Sequence, residues 1–254
     1  MDDRVRKTNG DEMKPTIPVY IGHDAREAAG TYLFMNSALR RSSAPLSFHP
    51  LALTNLKGYS DASSRGTNEF IRSRFLIPYL QNYTGFAIFV DGADMMMRGD
   101  IAELWELKDW YHTAVQVVPH DYKTKFPRKY VGTEMEADNI DYPKKNQSSV
   151  MLINCSHHAW RHITPESLSN INEQELHRFE FLPNECVKTL PNEWNHIVGE
   201  QPYNPDAKLV HFSIGVPAMD AYRNWDYADE WFEELRLAQY VVPTIRSGSR
   251  PAVL

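Results

Sequence analysis

Several features that would identify a common class of protein are missing from this sequence of 254 residues. It contains two cysteines, Cys155 and Cys186, which are too few for a disulfide framework and show no Cys-x-x-Cys metal spacing. No segment approaches the ~18–20 consecutive apolar residues of a membrane-spanning helix. The amino-terminal MDDRVRKTNGDEMKP is polar and lacks the apolar centre of a signal peptide. These absences predict a protein without a membrane span in a reducing, cytoplasmic compartment.

Common nucleotide-binding and calcium-binding loops are absent as well. The sequence has no Gly-x-x-x-x-Gly-Lys, and the segment after the first apolar run reads GHDAREAAG rather than Gly-x-Gly-x-x-Gly. An EF-hand loop that started at Asp91 would need a glutamate at its twelfth position, where Ala102 stands. The sequence therefore argues against phosphate-loop nucleotidases, dinucleotide enzymes and EF-hand proteins.

The chain is moderately acidic. Its formal net charge of -6 disfavours a general attraction to nucleic acid or to an anionic membrane. A local basic cluster in the loop 120–147 keeps nucleic acid open as a partner, and it comprises Lys123, Lys125, Arg128 and Lys129. We expect this loop to cover a ligand site rather than bind duplex DNA, because long polar loops over a sheet edge often close on ligands.

What the sequence does contain is an alternation of strand and helix patterns. Its 42% of hydrophobic residues is enough for one sizeable core. Short apolar runs at 16–22, 46–53 and 86–90 predict strands, and helix patterns lie between them, so these strands should pair in parallel. Further strands are predicted at 113–119, 148–155 and 207–212.

The helix patterns differ in strength. Segment 25–41 places Ala28, Tyr32, Met35 and Leu39 on one stripe at helical spacing. Segment 69–81 predicts a helix that is interrupted or ended near Pro78. Weaker patterns predict a short helix at 101–107, helical pieces within 157–180 and a last amphipathic helix at 227–239.

The pattern predicts a single folded domain. We expect a flexible lead-in at 1–15, an α/β domain at 16–240 and a flexible tail at 241–254.

One stretch, FAIFVDGADMMMRGDIAELW at 86–105, carries the strongest indication of chemistry. Its apolar run ends at Asp91 and Asp94, at the carboxyl end of a strand, where ligands bind in open α/β sheets. Two nearby carboxylates can hold a divalent cation that a diphosphate would complete, although a solvated Asp-Gly turn explains them equally well. His211, in VHFSIG, ends another strand; an imidazole beside two carboxylates favours manganese over magnesium, and an ordinary core histidine is the alternative.

The segments FVDGADMMMRGDIAELW, SSVMLINC, LPNEWN and VHFSIG, in this order, resemble the family 8 retaining glycosyltransferases. This is the group of glycogenin and the lipopolysaccharide galactosyltransferases, and the similarity is strongest to bacterial and phage members. It spans roughly residues 16–225. The resemblance implies a single GT-A (Rossmann-like nucleotide-diphospho-sugar transferase) domain with a mostly parallel central sheet. It also implies a UDP-linked donor and a Mn²⁺- (or Mg²⁺-) dependent transfer.

The resemblance also assigns roles to residues that match the family's metal motifs. Asp91 and Asp94 match its Asp-x-Asp motif, stretched here to Asp-x-x-Asp, and His211 matches its metal-binding histidine. Gly215 matches the glycine that comes after this histidine, but the next residues, VPAMD, lack the family's lysine, so the diphosphate is short of one cation. Arg74 matches an arginine near the donor.

Further donor contacts implied by the resemblance are less well defined. His23 and Asp24 fall where the family holds the nucleobase, although Asp24 could equally cap a helix. Gln147 and Ser148 fall beside the donor sugar. The family's acidic residue near the anomeric carbon falls around Asn184 and Glu185, with Glu185 the candidate catalytic acid. Lys144 or Lys145 could add charge, or simply be solvated.

These matches predict a metal-dependent transfer of a sugar from UDP-hexose or UDP-pentose to an acceptor hydroxyl. The cation and Arg74 would stabilise the leaving diphosphate, and retention would result from front-face attack by the acceptor. The alternatives are a nucleotidyltransferase that makes sugar nucleotides, and a catalytically lapsed module that only binds them. The acceptor stays open between a glycan, a protein, a small molecule and a modified nucleobase.

Overall fold

The computed structural model describes residues 14–59 and 70–239. Most of the predicted lead-in, most of the polar segment 58–68 and the predicted tail at 241–254 lie outside the described residues. None of the described helices is long and apolar enough to cross a membrane.

The strands of the described chain are short, and in chain order they are β1 (Ile17–His23), β2 (Leu46–Ala52), β3 (Phe86–Val90), β4 (Met95–Met97), β5 (Val115–Val117), β6 (Arg128–Lys129), β7 (Ala137–Asp138), β8 (Val150–Asn154), β9 (Val187–Thr189), β10 (His196–Ile197) and β11 (Leu209–His211). The α-helices are α1 (Ala28–Arg41), α2 (Ile77–Leu80), α3 (Ile101–Trp105), α4 (Pro165–Leu168), α5 (Glu173–His177) and α6 (Ala228–Gln239).

The largest sheet has six strands in the order β2-β1-β3-β8-β5-β9. β1 pairs in parallel with β2 and β3, and β5 pairs in parallel with β9. β8 runs antiparallel to both of its neighbours, β3 and β5. Five of the six strands therefore point the same way, which confirms the predicted α/β fold with a mostly parallel central sheet.

The central strands are apolar on both sides because both faces of the sheet are covered. Along β3, Ala87 and Phe89 pack into the cluster that contains Phe75 and Trp160. The alternate residues Ile88 and Val90 join a different cluster, on the face where Phe34 and Ala38 of α1 pack. A continuous buried run of this kind is what made β3 recognisable from the sequence.

A small second sheet positions the residues immediately after β3. β4 pairs antiparallel with β11, so that Met95 lies opposite His211, and β11 pairs in parallel with β10. The sequence pattern did not predict β4, because MMM reads as part of a turn between acidic residues. The pairing matters for the site because it brings the end of β11 to the turn that ends β3.

Helix α1 packs on a different face from the predicted one. Tyr32 and Leu39 are 61% and 55% exposed, whereas Leu33, Phe34 and Ala38 are fully buried. The helix is wedged between the large sheet and α6, where Arg41 pairs with Glu234 at 2.7 Å. Two apolar stripes were available in this alanine-rich segment, and the one containing the bulky Phe34 is buried.

The predicted helix at 69–81 is also different in detail. A 3₁₀ turn at Ser73–Leu76 leads into the short α2, and Pro78 lies in the first turn of α2 instead of ending a helix. Proline is well tolerated there because the first turn of a helix has no intrahelical acceptors for its N–H groups.

Candidate active site

The turn after β3 is held in place by close backbone contacts. Gly92 has φ +90°, and a Cβ atom there would lie 2.1 Å from the Ile21 side chain. A Cβ atom on Gly30 of α1 would lie 1.9 Å from the Ala93 carbonyl oxygen. Only glycine permits both approaches. The turn is therefore packed closely between β1 and α1, so the backbone positions of Asp91 and Asp94 are fixed.

Asp91 is bound to Arg74. The Arg74 Nη1 atom lies 2.5 Å from Asp91 Oδ1 and donates to the Ser148 carbonyl oxygen at 3.0 Å. The guanidinium also packs over the Phe89 ring, 5.0 Å from its centroid. Burial raises the pKa of Asp91, while the charge of Arg74 opposes that rise. The sequence-predicted partners Asp91, Arg74 and Ser148 are thus brought together.

Asp94 is bound to His211. The Asp94 Oδ2 and His211 Nε2 atoms are 3.2 Å apart, and both side chains are more than nine-tenths buried. Burial acts to raise the pKa of Asp94, but the charge and hydrogen bond of His211 outweigh it and hold this pKa below its ordinary value. Asp94 Oδ1 is buried without a hydrogen-bond partner in the described part of the chain.

Asn195 orients His211; it ends the segment LPNEWN, which contributed to the resemblance without receiving a role of its own. Its Nδ2 atom donates to the Asn146 carbonyl at 3.1 Å and to Ser149 Oγ at 2.9 Å. Because that carbonyl can only accept, Asn195 Oδ1 is the atom 3.1 Å from His211 Nδ1, and Nδ1 carries a proton. His211 Nε2 is therefore free to face Asp94 or a cation.

Glu27 adds a third carboxylate and was also missed. It directly precedes α1, and its Oε2 atom is buried with no hydrogen-bond partner among the described residues. Burial, and then the charges of Asp94 and Asp24, raise the pKa of Glu27 to about 8. A glutamate next to a helix start is usually explained by helix capping, so the sequence held no signal for this role.

Arg74, Asp91, Asp94, Ser148 and His211 line a cavity of about 580 Å³, whereas Glu27 and Asn195 lie behind this lining. This volume is within the usual range of small-ligand sites. Its floor is formed by Asp91, Asp94, Ser148, Ser149 and His211, and its walls include residues of the loop 120–147 and of α5. His177 of α5 bonds Ser148 Oγ through Nδ1 at 2.6 Å. Burial, with Arg74 and Arg72 nearby, lowers the pKa of His177 to about 3.

Part of the loop 120–147 lines this cavity. The buried Glu200 fastens it, since Glu200 Oε2 accepts from the Lys125 N–H at 2.8 Å and Oε1 accepts from the Thr124 hydroxyl. Its β6–β7 hairpin contributes Lys129, Tyr130, Ala137 and Asp138 to the cavity lining.

The predicted basic cluster is not a continuous patch. Arg128 pairs with Glu136 and Asp138, and Lys125 donates to the Gly199 carbonyl at 3.3 Å. Lys129 lines the cavity.

Several predicted site residues do not line the cavity. Asp24 caps the turn at Ala25–Glu27 and pairs with Arg26 at 2.5 Å, and the neighbouring His23 is likewise outside. Lys144 and Lys145 donate to the Arg178 carbonyl and to Asn139. Gln147 and Gly215 also lie outside the lining; a Cβ atom on Gly215 would meet the Tyr222 ring at 2.1 Å.

Glu185 does not lie at the site where the resemblance placed it. It lies in a 3₁₀ turn at Asn184–Cys186 that directly precedes β9. Because β9 runs in the same direction as β3, this turn is at the opposite edge of the sheet from Asp91. The structure does not bring Glu185 or Asn184 to the cavity.

The donor atoms at this turn can supply part of the ligand shell of a divalent cation, but not the whole of it. No three His, Cys, Asp or Glu side chains in the described ranges are close enough to hold a metal ion by themselves. Sites for small divalent cations commonly take one or two protein carboxylates and leave the other positions to phosphates and water. The unpartnered Asp94 Oδ1 and the His211 Nε2 atom provide two such donors, with Asp91 beside them on Arg74.

Solved structures define the class of fold. The galactosyltransferase LgtC, in complex with donor and acceptor sugar analogues, is 14% identical, with a TM-score of 0.52 over 89% of this chain and 98% of its own. The apo-form glycosyltransferase GlyE of Streptococcus pneumoniae TIGR4 is 14% identical, with a TM-score of 0.55 over 87% of this chain and 60% of its own. The WbbM bifunctional glycosyltransferase has a TM-score of 0.51 at 16% identity, and this chain spans 50% of its length. The chain has the GT-A fold of these glycosyltransferases.

A curated relative defines the family. Protein CDI of Arabidopsis thaliana is 34% identical over 236 residues, which cover 89% of each chain. The chain belongs to the family of Protein CDI. No family model matches the sequence.

Proposed function

We propose that this protein transfers a sugar from a nucleotide-sugar donor to an acceptor hydroxyl, with UDP-hexose or UDP-pentose as donor and with retention of configuration. The observation that carries the proposal is the cavity at the carboxyl edge of β3, where Asp94 Oδ1 has no hydrogen-bond partner among the described residues and stands beside His211, Asp91 and Arg74. The fold shared with LgtC, whose structure carries donor and acceptor sugar analogues, supports a sugar-transferring chemistry.

The charge of each residue determines the role that we propose for it. Asp94 and His211 would hold Mn²⁺ or Mg²⁺, and Asp91, paired with Arg74, would add a third ligand. The cation would supply Lewis-acid stabilisation of the negative charge that develops on the leaving diphosphate. Asn195 holds the His211 ring through Nδ1 so that Nε2 faces the site, and Arg74 adds a fixed positive charge.

The setting and the acceptor remain parts of the proposal. Cys155 and Cys186 are both free thiols, which supports the expected cytoplasmic compartment.

The acceptor would enter under the loop 120–147, and its class is open between a glycan, a protein, a small molecule and a modified nucleobase. A nucleotidyltransferase has less support, because a single turn at Ala25–Glu27 connects β1 to α1 in place of a glycine-rich loop.

The test is a screen of UDP-sugars for release of UDP, with Mn²⁺, with Mg²⁺ and with chelator. The Asp94→Asn variant is the matched control. Release that needs the metal and is lost in the variant would support the transferase. Binding of UDP without any release, with and without acceptors, would leave a binding module. Incorporation of label from a nucleoside triphosphate into a sugar nucleotide would favour the nucleotidyltransferase.

A further inference from the structure

The β6–β7 hairpin is docked on the chain segment after β11. The Tyr130 N–H donates to the Ile214 carbonyl at 2.7 Å, and the Val131 N–H donates to the Tyr222 hydroxyl at 3.0 Å. Lys129 directly precedes these two contacts. The segment that carries His211 therefore also fixes where the Lys129 backbone lies.

Lys129 presents its charge to the acidic side of the cavity. It lines the cavity with Asp91 and Asp94; burial lowers the pKa of its ammonium group, and the charges of Asp94, Asp91 and Glu27 oppose this lowering. Other cations of the loop serve different contacts, since Arg128 pairs with Glu136 and Lys125 reaches the Gly199 carbonyl. Lys129 is thus the cation that the loop 120–147 contributes beside Asp91 and Asp94.

The charge balance of the cavity needs such a cation. Asp91 and Asp94 both line it, and a diphosphate would bring further negative charge. The sequence from His211 to Asp220 contains no lysine or arginine, so the segment beside the site supplies none. Arg74 is already engaged by Asp91 and by the Ser148 carbonyl.

We propose that Lys129 is a diphosphate-binding residue, delivered to the donor by the hairpin that covers the cavity. The assignment rests on the proposed function, because it needs a nucleoside diphosphate as ligand. The hairpin that closes the site also brings the positive charge that the phosphates require. The docked position of the loop 120–147 and the bound donor therefore stabilise each other.

A purely structural role would have a different signature. If the ammonium only neutralised the carboxylates, its removal would strengthen the binding of Mn²⁺ alone and leave UDP affinity unchanged. If it binds the diphosphate, its removal weakens UDP binding and spares uridine, which has no phosphate. The two roles therefore differ in the response to the phosphates.

The experiment compares the full-length wild type with Lys129→Met and with Lys125→Met, a control in the same loop whose ammonium lies outside the cavity lining. Calorimetric titrations with UDP, pyrophosphate and uridine, each with Mn²⁺, and with MnCl₂ alone, give the affinities. We expect Lys129→Met to bind UDP and pyrophosphate about ten- to hundredfold more weakly, the usual loss for a charged hydrogen bond. Uridine binding should stay at the wild-type value, and Lys125→Met should behave as wild type throughout.

Equal UDP affinity in Lys129→Met and wild type would overturn the assignment while leaving the transferase proposal standing. Equal weakening of uridine and UDP would also overturn it, since the whole cavity would then be disturbed. Lys129→Arg keeps the charge, and partial recovery of UDP affinity in it would support the assignment. A wild type that binds neither UDP nor pyrophosphate would overturn both proposals, which separates that failure from a failure of Lys129 alone.

Discussion

The floor and the cover of the cavity are built in different ways. The floor, comprising residues 91–94, 148–149 and 211, is positioned by backbone pairing of buried strands: the Asp91 N–H donates to the Ser149 carbonyl, and the Phe212 N–H to the Asp94 carbonyl at 2.8 Å. The cover, residues 120–147, is fastened by polar side chains around Glu200. Apolar burial fixes the floor, whereas a few charged hydrogen bonds hold the cover.

This difference suggests a division between chemistry and access. The floor presents its carboxylates from positions that cannot shift without disturbing the core. The cover buries few apolar side chains, namely Tyr130 and Met135, and should open at a lower free-energy cost. Substitutions in the two regions should therefore affect different quantities.

The largest effect is expected from breaking the floor at Asp94. Asp94→Asn removes the charge of the proposed cation ligand, so turnover should fall about 100- to 1000-fold, as when a key electrostatic contact is lost. The measurement is UDP release at saturating Mn²⁺, alongside thermal unfolding. Asp100→Ala is the matched control, because Asp100 caps α3 through the Ala102 N–H at 2.9 Å.

Asp100→Ala should show the opposite profile, with a loss of about 0.5–2 kcal/mol in the free energy of unfolding and normal turnover per folded molecule. Normal turnover in Asp94→Asn would contradict the proposal that Asp94 holds the cation.

A smaller effect is expected at Arg74. Arg74→Lys keeps the charge but removes the planar guanidinium that packs over the Phe89 ring and so holds Nη1 against Asp91 and the Ser148 carbonyl. We expect a loss of about 1–3 kcal/mol in kcat/KM for UDP-sugar turnover. Arg72→Lys is the control, since Arg72 is buried but donates to the carbonyls of Leu168 and Ile171, away from the donor. If both variants lose only stability, Arg74 is a structural residue.

The cover should respond to Glu200. Glu200→Gln replaces a carboxylate that accepts from the Thr124 hydroxyl and the Lys125 N–H, at a cost of about 1–2 kcal/mol in local stability. Hydrogen exchange should accelerate in 120–147 and stay unchanged in 86–97. The exposed partner of Arg128 provides the comparison, since solvent screens its ion pair and Glu136→Gln should leave exchange in both regions near the wild-type rate. Equal acceleration in both regions would show that floor and cover unfold together.

The smallest effect at neutral pH is expected at His177, which joins the wall to the floor through Ser148. Its pKa is about 3 in the folded protein against 6.5 as the ordinary value, so folding favours the neutral ring. The stability that this provides is complete above pH 6.5 and is lost as the pH falls toward 3. His177→Gln should flatten the decline of the free energy of unfolding in that window. If the free energy of unfolding falls as steeply in His177→Gln as in wild type, groups other than His177 cause the acid sensitivity.

The predictable parts of the site are those that depend on local pattern. The apolar run of β3 ends at Asp91, and a short apolar run ends at His211, so these residues could be found without a structure. Arg74 and Ser148 came from the resemblance, and the structure places both at the cavity. Glu185 came from the same source, but a poor local match put it on the wrong edge of the sheet.

The sequence by itself determined the α/β class, the order of the main strands and the carboxylates at the end of β3, because these depend on side-chain periodicity and on residues adjacent in the chain. Only the tertiary structure decided that Asn195 orients His211, that Glu27 joins the acidic cluster and that the hairpin brings in Lys129. Lys129 belonged to a predicted basic cluster and Asn195 to the segment LPNEWN, but neither spacing nor periodicity indicated what these side chains contact. Their roles arise from contacts between segments 16 or more positions apart, which only the packing of the strands brings together.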